Sequence, residues 1–363
     1  MSKKTFLLFF PSILFIIILI WLKTFAFYDK FTLQESPLLR IVIIADPQMK
    51  GENPNEEEFG TLKDQLNDFY YQHIIHKIST HISPTHIIVL GDIFANFQMN
   101  NQLFASKYKR YKRIFESAIT NKQIQVINLA GNEDIGYGAD CDPNAIQRFQ
   151  EKFNDLNILI EYPHLSLAIV NNIPLDGSSN LNEFNKSWQF LANLASKSQE
   201  NQIILFMHIP LYKQNEKCKI NHDILFENRN QNNVVIYQNM LSENTSDFII
   251  NNIKPFMIFT GHSNSGCQYT HQDKITEYTL RSVNGDFGGG FVVLEIKPNS
   301  NGSGYRFWIN KYTFPTSNVI ILMIILLICY LGFLVGFFLL KIIPTIYKKI
   351  IIKKKIENSK KQK

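Results

Sequence analysis

The sequence predicts an α/β domain held between two membrane spans, and three observations lead to that prediction. Through the middle of the chain, short β-branched runs alternate with segments of helical spacing, the pattern of strands and helices in turn. The strand-type runs stop repeatedly at Asp, Asn or His. Each end of the 363-residue chain carries a long run without a charge, 17 residues from Phe6 to Leu22 and 22 from Val319 to Leu340.

Residues 1–5 are a basic start, and 6–22 can cross a hydrocarbon core of about 30 Å at 1.5 Å per helical residue, with little to spare. A cleaved signal peptide has a similar outline. Against it, the apolar run is longer than a usual signal core, and Trp21-Leu22-Lys23 offers no small-residue cleavage site, so a retained anchor is expected. The globular domain is expected over 35–312. Arg40–Ala45 reads as a strand ending in Asp46, Glu56–Ile82 as a helix, and His86–Leu90 as a strand ending in Gly91-Asp92. Leu103–Ala118 reads as a helix and Gln125–Ala130 as a strand ending in Gly131-Asn132. Ile203–Met207 ends in His208, and Phe256–Thr260 ends in Gly261-His262. The Asn-rich stretches near 171–185 and 227–252 read as loops or insertions. Gly288-Gly289-Gly290 lacks the strand-to-helix setting of a phosphate loop and reads as a strand-edge turn. A second span at 319–340 and a lysine-rich tail at 341–363 complete the chain.

Composition and charge narrow the function. With 45% hydrophobic and 19% charged residues, the chain is neither a disordered polyelectrolyte nor a small disulfide scaffold. Nine lysines and one glutamate from Lys341 onward give the tail +8, and Lys3, Lys4 and Lys23 add +3, so of the net +6 the middle holds −5. No nucleic-acid partner is expected for an acidic domain whose basic residues flank membrane spans. The positive-inside rule places the tail in the cytosol. With two spans, the N-terminus is cytosolic too and the domain is luminal. The sequons at Asn185, Asn244 and Asn301 all lie between the spans, weak support in a chain so rich in Asn. Cys329 is in the second span, while Cys141, Cys218 and Cys267 share the oxidising side, which allows one disulfide and one thiol left over. Lys360 and Lys361 stand fourth and third from the C-terminus and look like a dilysine signal for retrieval to the endoplasmic reticulum. A tail held to anionic lipid headgroups is the other reading.

In α/β sheets, ligands bind in the crevice beyond the carboxyl ends of the strands. Asp46, Asp92, Asn132, His208 and His262 would all reach that rim. Two carboxylates, an amide oxygen and two imidazoles suit Mn, Fe or Zn. Singly, each has a structural explanation, a turn for Gly-Asp and a core contact for a strand-end His. Their joint occurrence in this order carries the inference.

The series Asp46-Pro47-Gln48, Gly91-Asp92, Gly131-Asn132-Glu133-Asp134, His208 and Gly261-His262-Ser263-Asn264 resembles the five-motif signature of calcineurin-like metallophosphoesterases. A narrower resemblance is to the membrane-anchored branch that remodels glycosylphosphatidylinositol (GPI) anchors. It rests on GDIF (Gly91–Phe94), NEDIG (Asn132–Gly136), Arg148-Phe149, HIPLY (His208–Tyr212), Cys218 and Cys267. The resemblance implies a two-layer β-sandwich flanked by helices. It also implies two divalent metal ions, Mn first, with Zn, Fe or Mg compatible. By motif, Asp92, Asn132, His208 and His262 would hold one ion, and Asp46, Gln48, Asp92 and Asn264 the other. Glu133 and Asp134 fall in the catalytic position, and Cys218 and Cys267 are expected to pair.

The departures from the superfamily pattern also carry information. Gln48 and Asn264 replace imidazoles with amides, neutral and weaker ligands for transition metals. Glu133 stands where the superfamily has a His that protonates the leaving alkoxide, a contribution of about 10²–10⁴-fold. A carboxylate beside a dication stays ionised and is a poor acid, so a working hydrolase must draw the proton from Glu133 against that tendency or from another group, such as His271. The implied activity is removal of ethanolamine phosphate from a mannose of GPI anchors in the endoplasmic reticulum or early Golgi, aiding transport of GPI-anchored proteins. Cargo or coat proteins are expected partners of the tail. The alternative is a catalytically impaired relative that binds anchors or proteins as an export factor.

Overall fold

The computed structural model describes residues 31–51, 62–213, 218, 227–263, 265–283, 289–300, 304–314 and 317–361. The expected first span at 6–22 lies outside these residues. Residues 29–316 form one compact unit, and the C-terminal helices belong to another.

Two sheets build the globular unit. In the first, β1 (Leu39–Ile44), β2 (His86–Val89) and β3 (Gln125–Asn128) run parallel. β12 (Gly290–Pro298) joins β1 antiparallel and carries β13 (Tyr305–Thr313) on its far edge. The second has the order β10 (Cys267–His271), β11 (Ile275–Thr279), β9 (Met257–Thr260), β6 (Gln202–Met207), β5 (Leu165–Ile169) and β4 (Ile158–Tyr162). Its middle four strands are parallel and its two edge strands antiparallel. Leu39, Ile41, Ile43 and Ala45 share one core with Leu167, Phe206, Phe259, Leu294 and Ile296, so both sheets close on the same interior. Val42 and Ile44 point the other way and are buried as well. A strand covered on both faces needs such an unbroken apolar run. The α/β class and the two layers agree with expectation.

Several elements differ from the sequence reading. The stretch 227–252, read as a loop or an insertion, carries regular structure: β7 (Glu227–Arg229) and β8 (Val235–Gln238) form a hairpin, followed by the helix Glu243–Phe248. The helix Leu181–Lys197 likewise starts inside the stretch read as a loop at 171–185. In both cases the polar residues that suggest a loop act as helix caps: the Asn180 side chain accepts from Glu183 N, and Ser242 from Thr245 N. The helix expected over Glu56–Ile82 is described as Leu62–Lys77 with a π turn at Ile78–Ile82, and that expected over Leu103–Ala118 as Asn101–Ile114 plus Glu116–Ile119. Gly290 opens β12.

In the C-terminal unit, the helix Ser317–Phe337 carries most of the expected second span, and Ile343–Lys361 follows it to Lys360 and Lys361. Among the described residues, one helix, Ile324–Lys353, is long and apolar enough to cross a membrane by length and composition.

One buried ionic cluster ties the loop after β6 to the second sheet. The Glu277 carboxylate on β11 accepts from Lys213 Nζ (2.9 Å), His271 Nε2 (2.7 Å), Thr260 Oγ1 (2.9 Å) and Leu211 N (3.2 Å). Burial opposes its charge, but Lys213 and His271 outweigh burial and pull its pKa down to about 2. His271, considered above as a proton donor, is therefore committed to Glu277 and buried in β10.

A folded-state pKa below the unfolded value gives stability that is complete at neutral pH, declines below the ordinary 4.5 and is gone below about 2. Thermal unfolding followed by circular dichroism should show that loss between those limits. Glu277→Leu at neutral pH should cost about 3–5 kcal/mol by stranding Lys213, and should flatten the acid limb.

Candidate metal centre

The parallel strands of both sheets end at one rim, and there the backbone turns abruptly. Asp46 (φ 49°) and Gln48 (φ 45°) follow β1, Asp92 (φ 49°) follows β2 and His262 (φ 66°) follows β9, all in the left-handed region. Each such residue costs about 1–3 kcal/mol and persists only where its surroundings hold it. Two glycines let the loops meet. A Cβ on Gly131 would collide with the Asp92 carboxylate, and one on Gly91, itself at φ 89°, would stand 2.6 Å from His208 Nδ1.

The side chains converge on a buried point. His208 Nδ1 lies 2.7 Å from Leu90 O, and His262 Nε2 3.1 Å from Gln238 O. Carbonyls only accept, so these two nitrogens carry the hydrogens. The other nitrogens, His208 Nε2 and His262 Nδ1, face each other at 3.2 Å. Asn132 Oδ1 is 3.0 Å and Asp92 Oδ1 3.3 Å from His208 Nε2. The ligand atoms of Asp92, His208 and His262 all lie within 4.8 Å of one another. Four acceptors thus surround one place, where a cation satisfies all of them, and the set fits the metal the sequence implies. Beside it, Asp46 Oδ1 accepts from His262 N at 3.0 Å, while the buried Oδ2 has no hydrogen-bond partner among the described residues. That oxygen suits a second ion. Gln48, two residues on, is half-buried, and its backbone N donates to the Asp92 carbonyl O at 2.8 Å. Asn264 lies outside the described residues.

The electrostatics express the same demand for positive charge. Burial disfavours the His208 imidazolium, but Asp92 and then Asp46 outweigh it and bring its pKa up to about 9. Burial opposes the Asp92 charge too, and His208 overcomes it, so Asp92 stays below the ordinary range. Burial, helped by Asp92, raises Asp46 to about 7. Burial and the charge of His208 lower His262 to about 4. Without a metal, the centre therefore takes up a proton at His208.

The other expected site residues have distinct places. Glu133 N donates to Asp92 Oδ1 (2.9 Å), and its carboxylate accepts from Asn132 Nδ2 (3.2 Å), so the side chain stands at the rim. Asp134 does not face the centre. Its oxygens accept from the backbone N of Gly131, Ile93 and Phe94, which makes it a positioning residue instead of the catalytic one expected. Cys218 and Cys267 form a disulfide with Cα atoms 5.6 Å apart, and Cys141 is free and buried. Asn185 and Asn244 are exposed on helices, and Asn301 lies outside the described residues. The sequence reading missed Gln238, whose carbonyl orients His262, and the tyrosines Tyr137 and Tyr237 beside it. Tyr237 and Gln238 belong to the stretch taken for a loop, where no spacing announces them.

Because His208 must lose its proton before Nε2 can ligate, metal affinity should rise with pH up to about 9. Calorimetric titration with Mn²⁺ in buffers of different ionisation enthalpy, at a pH of about 7.5, should show about one proton released per chain as the His208 site fills. Binding without proton release would exclude His208 as a ligand.

Comparison with known proteins agrees with this geometry. An uncharacterised protein of Schizosaccharomyces pombe is 29% identical over 311 residues, covering 73% of this chain and 71% of its own. Protein TED1 of Saccharomyces cerevisiae is 24% identical over 373 residues, 77% of this chain and 79% of its own. Metallophosphoesterase 1 of Xenopus laevis is 22% identical over 325 residues, 79% and 75% of the two chains. The calcineurin-like phosphoesterase family matches residues 39–287, the span that holds every strand whose end feeds the centre. The chain belongs to the calcineurin-like phosphoesterase family.

Proposed function

We propose that the protein is a membrane-anchored, metal-dependent phosphodiesterase that removes ethanolamine phosphate from a mannose of GPI anchors and so aids transport of GPI-anchored proteins out of the endoplasmic reticulum. The observation that carries the hydrolase part is the buried point ringed by His208 Nε2, His262 Nδ1, Asn132 Oδ1 and Asp92 Oδ1. The narrower substrate rests on the motif resemblance and on the relatives that span most of the chain. On this reading the domain is luminal between spans at 6–22 and 319–340, both termini are cytosolic, and the tail with Lys360 and Lys361 meets lipid, coat or cargo proteins.

Divalent ions bound at the centre would supply Lewis acidity toward the phosphate oxygens. The protein's own part is orientation. Leu90 O and Gln238 O hold the two imidazoles in the tautomers that present a lone pair to the metal. Asp92 lies between the two ligand sets, and Asp134 fixes the loop that carries it. A second reading, an export factor that binds anchors without cleaving them, is favoured by one observation: Glu133 places a carboxylate at the rim where a proton-donating imidazole is expected.

Metal content of the full chain, purified in detergent without chelator, tests the centre, with about two ions per chain expected. Asp92→Asn and His208→Ala should each lower metal content, to about one ion per chain or fewer, and reduce diester hydrolysis by about 10²-fold or more. Unchanged hydrolysis in either variant would overturn the site. Bound metal with no release of ethanolamine phosphate from a mannosyl diester would leave the binding reading.

A further inference from the structure

We propose that Glu133, Tyr137 and Tyr237 form an ammonium pocket beside the metal centre, which receives the cationic amine of an aminoalkyl phosphodiester. The inference rests on the phosphodiesterase reading above and names the feature by which that site selects its substrate.

One charge at the rim is out of place. A phosphodiester is an anion, and a carboxylate at the rim of its site repels it. Glu133 is fixed in that position: its backbone N is bonded to Asp92 Oδ1, and its carboxylate to the Asn132 amide whose oxygen faces His208. For a plain diester this residue is a handicap. For a zwitterionic diester whose amine sits two carbons from the phosphate ester oxygen, it becomes a second point of attachment.

Two rings complete the pocket. Tyr137 stands edge-on to His262, with ring centroids 6.2 Å apart and planes at 84°. Tyr237 lies 5.4 Å from Tyr137 at 57°, so the two rings form a tilted wall, and Tyr237 keeps 39% of its surface exposed. Tyrosine faces attract a desolvated cation, and a carboxylate with aromatic faces is an established chemistry for ammonium recognition. The wall is anchored to the centre. Ala139 N donates to Val235 O (2.6 Å), and Ser179 N to Gly138 O (2.8 Å). The residue after Tyr237, Gln238, accepts from His262 Nε2. The β7–β8 hairpin thus places its tyrosine and orients a metal ligand through neighbouring residues.

The test uses the full chain in detergent with Mn²⁺ and two substrates, 2-aminoethyl 4-nitrophenyl phosphate and propyl 4-nitrophenyl phosphate. They differ only in an ammonium against a methyl group. The wild type should prefer the amine by about 10- to 100-fold in kcat/KM, chiefly through KM. Glu133→Gln, which keeps an oxygen for Asn132 Nδ2, should bring the two substrates to within about twofold. Tyr237→Leu should reduce the preference by about threefold or more with metal content unchanged. Equal handling by the wild type, or a preference that survives Glu133→Gln, would overturn the pocket. The monoesters phosphoethanolamine and propyl phosphate, titrated by calorimetry, read the same selectivity without turnover. Amine-selective binding without hydrolysis would sink the hydrolase reading and keep the pocket; hydrolysis without amine selectivity would sink the pocket alone. A wild type that neither hydrolyses nor binds selectively would remove both.

Discussion

The structure is organised around the burial of three carboxylates, Asp46, Asp92 and Asp134, in one small region at the end of two sheets. Each is at most 6% exposed. Ionised carboxylates cannot be buried together without compensation, and the chain compensates each in a different way. Asp134 is surrounded by three backbone N–H groups. Asp92 is set against His208, and Asp46 is left with a bare oxygen. Burial and Asp92 still push Asp134 up to about 7, so the backbone bonds only partly offset its environment. The remaining deficit of positive charge is what makes the rim a cation site.

The fold supplies the means. Only parallel strands deliver several carboxyl ends to one edge, and β1, β2, β3, β6 and β9, the strands that feed the centre, are all among the parallel strands of the two layers. The first sheet brings the acids and the amide, the second brings the imidazoles. Left-handed turns then swing Asp46, Asp92 and His262 out of the strand alternation, at a local cost that the large shared core can carry. The Glu277 cluster shows the opposite solution to the same problem. There the chain supplies its own cations, Lys213 and His271, and the result is a structural tie instead of a binding site.

How legible all this was in the sequence follows from locality. The strands that end in Asp46, Asp92, Asn132, His208 and His262 could be read because an apolar run and its terminal polar residue are neighbours in the chain. The strands β10 to β13 and the β7–β8 hairpin escaped notice because their pairing is long-range or their composition is Asn-rich. Asn180 and Ser242, which look like loop residues, are helix caps. The roles of Asp134 and His271 could not be read either. Their side chains are claimed by Gly131, Ile93, Phe94 and Glu277, and only the fold shows which partner wins.

The asymmetry between the two ligand sets has a physical consequence for the chemistry. The set at His208 and His262 combines imidazoles with an anionic oxygen, and both rings are held by carbonyls, so little reorganisation accompanies binding. In the set that the motif resemblance assigns to Asp46, the Gln48 amide would stand where an imidazole is expected, and only the carboxylates would bring charge. An ion held by such a set would be bound more loosely and would favour harder, oxygen-seeking metals. Replacing a proton-donating His with Glu133 shifts the rim in the same direction, away from proton transfer and toward holding positive charge. Gln48 and Glu133 therefore need not be read as decay of an older site. On the proposed reading, the centre would hold one ion firmly and one exchangeably, with the Glu133 carboxylate set to hold a cationic substrate group against them.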